Sequence, residues 1–197
     1  AMLLGMMVPG FALESKISVV TSVTAVNGDA ETLTLPNPGA VAGTLLLAQI
    51  TFEKGLEALP IAAPEGWTEI LVTSAYVGGG SKDIGQALYC KVPAQNEPAQ
   101  YRWTFSQKVK ALGGLSVYEG ADGTLPVLSS HGQGGYGDST GKNQMAAPSV
   151  GSAEGGLLVS FYGIKAQAYL ESPQNMRQVY QAWDLDNGYS ILASQQS

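Results

Sequence analysis

The chain has 197 residues, with 10 Lys and Arg against 16 Asp and Glu, 45% hydrophobic residues, 25 Gly and 10 Pro, which suits one domain with its own core. Charged residues reach only 13%, about half the usual share of about 25%, so polarity comes from Ser, Thr, Gln, Asn and Gly, and disorder driven by charge repulsion is excluded. A net charge of −6 with no basic cluster longer than the Lys108/Lys110 pair argues against a nucleic-acid partner, while a single Cys90 and a single His131 exclude an internal disulfide and the usual zinc sites.

The longest apolar run, from Met2 to Leu13, opens the chain. It is shorter than the roughly 20 apolar residues of a bilayer span, so no membrane insertion is expected. The first basic residue, Lys16, follows this run instead of preceding it as in a secretory signal. Residues 1–15 therefore read as an apolar arm, with Leu3, Leu4, Met6, Met7 and Phe11 as its contact residues. The arm either packs on its own domain or docks on a partner subunit, and its three Met suit an adaptable apolar contact.

Residues 16–197 read as a single β-sandwich domain. Almost every apolar run there is short, rich in Val, Ile, Leu, Tyr and Thr, and bounded by Gly, Pro, Asn or Asp. The pattern predicts about eleven strands: Ser18 to Val26, Thr32 to Leu35, Thr44 to Phe52, Thr68 to Tyr76, Ile84 to Val92, Ala99 to Ser106, Ala111 to Tyr118, Leu125 to Ser130, Leu157 to Ile164, Arg177 to Trp183 and Tyr189 to Ala193. In the first, Ile17, Val19, Thr21, Val23 and Ala25 alternate with a wetter face. The continuous runs Leu45-Leu46-Leu47-Ala48 and Leu157-Leu158-Val159 predict two strands in the middle of the sandwich.

The same two runs suggest an internal repeat. Pro38, Leu45 and Pro64 find counterparts in Pro148, Leu157 and Pro173, at nearly constant offsets. Segments 32–120 and 143–195 are therefore read as two similar halves of one antiparallel, jelly-roll-like sandwich.

Five segments extend the reading: Pro38-Gly39-Ala40-Val41-Ala42-Gly43-Thr44-Leu45-Leu46-Leu47, Ala63-Pro64-Glu65-Gly66-Trp67-Thr68, Leu88-Tyr89-Cys90-Lys91-Val92, Glu97-Pro98-Ala99-Gln100-Tyr101-Arg102-Trp103-Thr104-Phe105 and Val117-Tyr118-Glu119-Gly120-Ala121-Asp122. Followed by Ala147-Pro148-Ser149-Val150 and a second Leu-Leu-Val, their order resembles the β-sandwich modules of tailed bacteriophages, prophages and gene transfer agents. The resemblance implies a virion component outside the particle, as spike, fibre head or decoration. It also implies host attachment through receptor binding to cell-surface polysaccharide, with other virion subunits and further copies of the chain as partners. The chain is then located on a phage-like particle, or alternatively secreted. No catalytic motif belongs to the pattern, so no enzymatic activity is expected. The alternative is a purely structural virion subunit that clamps its neighbours through the arm and binds no sugar.

Carbohydrate binding needs flat rings to stack on sugar faces, with amides and carboxylates for the hydroxyls. Trp67, after Pro64 and Gly66, is expected to plug an end of the core, and Tyr101, Trp103 and Phe105 to share a core face. Trp183 precedes an Asn187-Gly188 hairpin signal flanked by Asp184, Asp186 and Tyr189, and these four residues form one candidate ligand group. The other lies in the stretch from Ser129 to Asn143, which holds five Gly and no aliphatic side chain. Such a stretch is a plain crossover between the halves, or is ordered by a ligand, with His131, Gln133, Tyr136 and Asp138 as its contacts. Two carboxylates at Asp184 and Asp186 fall short of the about six to eight oxygens a hard cation takes, so no metal is expected, and no cofactor. Ser130 or Ser139 with His131 and Asp138 would be the one nucleophile arrangement, but residues so close on one loop lack the rigid support of a triad. Cys90 is expected to be a small core residue.

Overall fold

The structure is a computed structural model that describes residues 17–55, 60–75, 84–134, 145–151, 154–184, 186 and 188–196. The arm residues Leu3, Leu4, Met6, Met7 and Phe11 lie outside the described residues. Ten strands occur among the described residues, with no α-helix: β1 Ser18–Val26, β2 Ala30–Pro36, β3 Leu45–Glu53, β4 Thr68–Ala75, β5 Ile84–Lys91, β6 Gln100–Val109, β7 Ala111–Glu119, β8 Leu158–Ile164, β9 Arg177–Asp184 and β10 Tyr189–Gln196. All pairings are antiparallel. Segment 125–130 forms no strand. Pro126 removes a ladder donor there, and the segment runs over the surface with Leu125 and Leu128 exposed while Val127 packs inward.

The strands make three layers. A five-stranded sheet, ordered β1-β7-β3-β5-β4, lies between the β2-β6 pair and a three-stranded sheet ordered β8-β10-β9. Cover on both faces explains why β3 is buried along nearly its whole length, with Leu45, Leu46, Leu47 and Ala48 as a continuous apolar run. Leu46, Ala48, Ile50 and Phe52 meet Leu33, Leu35, Tyr101, Trp103 and Phe105 of the β2-β6 pair. Covered on one face only, β6 alternates strictly from Gln100 to Ser106, with Tyr101, Trp103 and Phe105 inside.

The three-stranded sheet corrects one expectation. Leu157-Leu158-Val159 feeds an edge strand, with Leu158 43% exposed, and the buried centre is β10. An apolar run of three residues does not distinguish an edge strand from a central one, whereas β10 hides its position behind Ser190, Ser194 and Gln195, all buried. In β1 a bulge at Val20 shifts the register between Val19 and Thr21. Val19 therefore packs toward the three-stranded sheet and Val23 toward the β2-β6 pair, and Val20 is left exposed.

The face of the five-stranded sheet toward the three-stranded one is polar at its middle. Gln49, fully buried, donates from Nε2 to Gln86 Oε1 at 2.7 Å and to the Tyr162 carbonyl at 2.8 Å, and its Oε1 accepts from the Tyr180 hydroxyl at 3.1 Å. Gln86 also accepts from Thr51 Oγ1 at 3.3 Å and donates to the Phe161 carbonyl at 3.4 Å. Burial and the neighbouring Tyr118 hold the Tyr180 phenol well above its ordinary pKa, so it stays a donor. Two glycines let the layers close on this seam. A Cβ at Gly114 would collide with the Tyr180 ring, and one at Gly163 would lie 2.6 Å from Gln86 Oε1 and Thr51 Oγ1.

Replacing Gln49 with Leu takes the amide from the Tyr162 carbonyl and the Tyr180 hydroxyl and leaves Gln86 Oε1 with Thr51 alone, at about 1–3 kcal/mol for each unsatisfied group. Gln49→Leu is expected to lower unfolding free energy by about 3 kcal/mol or more, and Tyr180→Phe by about 1–2 kcal/mol. In urea denaturation the double variant should lose less than the sum of the two, because they share one hydrogen bond.

Candidate functional site

Among the described residues, side chains with chemical capacity gather, among other places, at a charged corner, in the segment 129–134 and on the outer face of the three-stranded sheet. The corner joins three of the segments that the sequence singled out. The turn at Pro64 and Gly66 is closed by the Trp67 N–H donating to the Pro64 carbonyl at 3.3 Å, with Gly66 at φ +80°. Lys91 lies against this turn, 3.2 Å from where a Gly66 Cβ would stand, and donates to the Glu65 carbonyl at 3.2 Å. Its Nζ pairs with Glu97 Oε2 at 2.8 Å and sits 5.4 Å from the centre of the Tyr101 ring.

Burial would raise the Glu97 carboxyl. Hydrogen bonds from Lys91, the Tyr101 hydroxyl at 2.8 Å and the Ala94 N–H at 2.9 Å outweigh it and hold the group below its ordinary value. Burial and Glu97 drive the Tyr101 phenol far above its own. Trp67 stacks edge-on against Tyr101 and Trp103, each 5.1 Å between ring centres. Beside them the Tyr89 phenol is pushed up to about 12 by burial and by Glu69. The Lys91–Glu97 pair, with the Tyr101 hydroxyl and the Ala94 N–H on the same carboxylate, ties the β5-β6 connection to the core. Cys90, buried on the opposite face of β5, has its thiol raised by burial.

The glycine-rich segment starts on the edge strand β4. A Cβ at Gly132 would meet Thr73 Cγ2 and Leu71 Cδ2 at 2.5 and 2.6 Å, and one at Gly134 would collide with the Ser74 carbonyl. These two glycines permit close packing on β4. His131 and Gln133 are exposed, but each holds the returning chain: His131 Nδ1 is 3.2 Å from the Ser149 carbonyl, and Gln133 Nε2 donates to the Ala146 carbonyl at 2.7 Å. Tyr136 and Asp138 lie outside the described residues.

The Trp183 group is split by strand periodicity. Trp183 pairs with Ser190 on the outer face of the three-stranded sheet, while Asp184 and Tyr189, paired one step on, turn inward and are buried. Asp184 Oδ1 accepts the Asp186 N–H at 3.0 Å within its own turn, and Asp186 is exposed. Lys165 Nζ lies 5.7 Å from the centre of the Tyr189 ring, whose phenol is raised by burial and by Glu53. Among the described residues no three His, Cys, Asp or Glu side chains converge as metal ligands.

Trp183 has a partner that the sequence did not suggest. The β8-β9 connection folds back over the outer face and places Tyr169 beside it. A shallow cavity of about 100 Å³ lies between them, lined by Gln167, Ala168, Tyr169 and Trp183. Tyr169 is 68% and Trp183 46% exposed, far more than the buried rings of the core. The connection is fixed from beneath. Ser190 Oγ donates to the Ala166 carbonyl at 2.8 Å and accepts the Ala168 N–H at 3.1 Å, Gln181 Nε2 donates to the Leu170 carbonyl at 2.9 Å, and Ser172 and Ser194 hydroxyls are 2.7 Å apart. The available signal for Tyr169 was an aromatic among small and polar residues in a segment without strand periodicity. Nothing local linked it to Trp183, because the link runs through Ser190.

Comparison with protein-family models, curated proteins and solved structures yields no match.

The corner generates a pH prediction. Because the folded pKa of Glu97 lies below its unfolded value, the stability it contributes is complete above the ordinary carboxylate value of about 4.3 and is lost as pH falls through the folded pKa. Glu97→Gln, which leaves Lys91 without its counter-charge, is expected to cost about 1–3 kcal/mol at pH 7 and to flatten the acid limb of the stability curve. Chemical denaturation from pH 7 down to about pH 3 checks both.

Proposed function

We propose that this chain is a non-enzymatic glycan-binding β-sandwich of a phage-like virion surface, a spike, fibre head or decoration that attaches to host cell-surface polysaccharide. The observation that carries the reading is the pair of exposed rings, Tyr169 and Trp183, facing a shallow cavity on a connection held by buried hydroxyls. Two exposed rings around a hollow suit the apolar face of a sugar ring. Gln167 supplies an amide that donates and accepts at the rim.

Fixing of the connection by Ser190 and Gln181 limits the entropy lost on binding. The cavity is small, so one copy binds weakly, and useful strength comes from several copies meeting a repetitive polymer. The low charge content fits the same reading, since stacking and hydrogen bonding do not depend on electrostatic steering. Placement on a phage-like particle is supported by the order of the sequence segments described above.

The test is a screen of the full chain on an array of bacterial surface polysaccharides, followed by equilibrium binding to the retained glycan. Trp183→Ala and Tyr169→Ala should each weaken binding about tenfold or more, which is about 1.4 kcal/mol, while changing stability by less than about 0.5 kcal/mol as exposed substitutions do. Retention of no glycan, or unchanged affinity in Trp183→Ala, would refute the reading.

A further inference from the structure

A second cavity lies at one end of the sandwich, between the start of β1 and the inner face of the three-stranded sheet. It measures about 420 Å³ and is lined by Ile17, Ser18, Leu157, Asn175, Arg177, Gln195 and Gln196. Arg177 and Gln195 are directly opposed across β9 and β10, so their side chains share a face. Gln195 is 9% exposed and its Oε1 is buried without a hydrogen-bond partner among the described residues. Native structures rarely leave such an atom unsatisfied, because desolvation costs about 1–3 kcal/mol with nothing in return. Among the described residues the exposed Arg177 guanidinium carries no ion pair or hydrogen bond. Ser18 Oγ donates to Glu119 Oε1 at 2.9 Å, which leaves its lone pairs to accept.

We propose that this cleft is a binding site for an acidic sugar unit, a pyranose carrying a carboxylate, with the carboxylate on Arg177 and a ring hydroxyl donating to Gln195. The guanidinium fork matches a carboxylate bidentately. Gln195 Oε1 and Ser18 Oγ accept hydroxyl protons, the amides of Asn175 and Gln196 both donate and accept, and Leu157 with Ile17 provides an apolar patch for a ring face. A bare inorganic anion would satisfy Arg177 and leave Gln195 unpaired, so the ligand needs both a negative group and a hydrogen donor. The net charge of −6 opposes attraction at long range, so binding comes from these short contacts and is weak and salt-sensitive.

The site is distinct from the rings of Tyr169 and Trp183 and does not rest on them. Arg177 and Trp183 stand at opposite ends of β9, roughly 20 Å apart at about 3.3 Å per residue, and on opposite faces of its sheet. A probe that isolates the charge is an α-1,4-linked galacturonic acid tetramer against its full methyl ester, which keeps every ring hydroxyl and removes the negative charges. Titration of the full chain by calorimetry should show binding of the acid and at least tenfold weaker binding of the ester. Arg177→Met should weaken binding of the acid at least tenfold, Arg177→Lys less so, and Gln195→Leu severalfold, while Trp183→Ala leaves it unchanged. Equal binding of acid and ester, full affinity in Arg177→Met, or absence of acid binding by the folded chain would overturn the proposal. Loss in Trp183→Ala with none in Arg177→Met would assign the sugar to the ring pair instead.

Discussion

The carboxamide of Gln49 sets the spacing between two layers of this fold. A polar side chain at the centre of a buried strand is tolerated because its partners are present: Gln86 from the neighbouring strand, the Tyr162 carbonyl and the Tyr180 hydroxyl from the sheet above. Apolar surfaces alone would let the three-stranded sheet slide over the five-stranded one at little cost, since hydrophobic attraction has no direction. The amide does have a direction, and it fits one registration. Gly114 and Gly163 complete the constraint, because only a missing Cβ lets Tyr180 and Gln86 reach across.

Everything on the far side of the three-stranded sheet inherits that registration. With Ile191 and Ala193 of β10 committed to the interior, Ser190 and Ser194 must face outward, and their hydroxyls receive the β8-β9 connection. Tyr169 is thereby brought beside Trp183. Alternation along β10 turns Gln195 inward at the other end, and the register shift between Ala193 and Ser194, which skips Val179, sets Arg177 opposite it on the same face, where the larger cleft opens. Two unlike surfaces, one aromatic and nearly neutral and one polar with a cation, thus follow from a single strand pair read on its two faces.

The strands were legible because their signal is local. The first strand was read at its true limits, Ser18 to Val26, and the inward face of β6 followed from Tyr101, Trp103 and Phe105 alternating with Arg102 and Thr104. Trp67 and Trp103 were legible as core for the same reason. Position within a sheet was not legible where polar residues are buried: β10 holds the centre with Ser190, Ser194 and Gln195, the two serines held by long-range bonds, while the more apolar Leu157-Leu158-Val159 lies at an edge. Glycines misled in a similar way, since Gly132 and Gly134 serve close packing on β4 and give no sign in sequence of what they approach. Grouping Trp183 with Asp184 and Tyr189 ignored the two-residue period that sends neighbours to opposite faces. Tyr169, the Lys91–Glu97 pair and the cleft around Arg177 all depend on contacts between distant segments.

The three tryptophans allow the central claim to be read atom by atom. In a ¹⁵N-labelled chain each indole N–H gives one resonance, and two of them, Trp67 and Trp103, have buried Nε1 atoms in the corner of the core, while Trp183 stands on the outer face. Titrating the polysaccharide fragment that the chain retains, while following these three signals, tests directly whether the outer face is the binding surface. The account predicts a saturable shift of the Trp183 indole with Trp67 and Trp103 unmoved. Binding that shifts Trp67 or Trp103 and leaves Trp183 in place would contradict it.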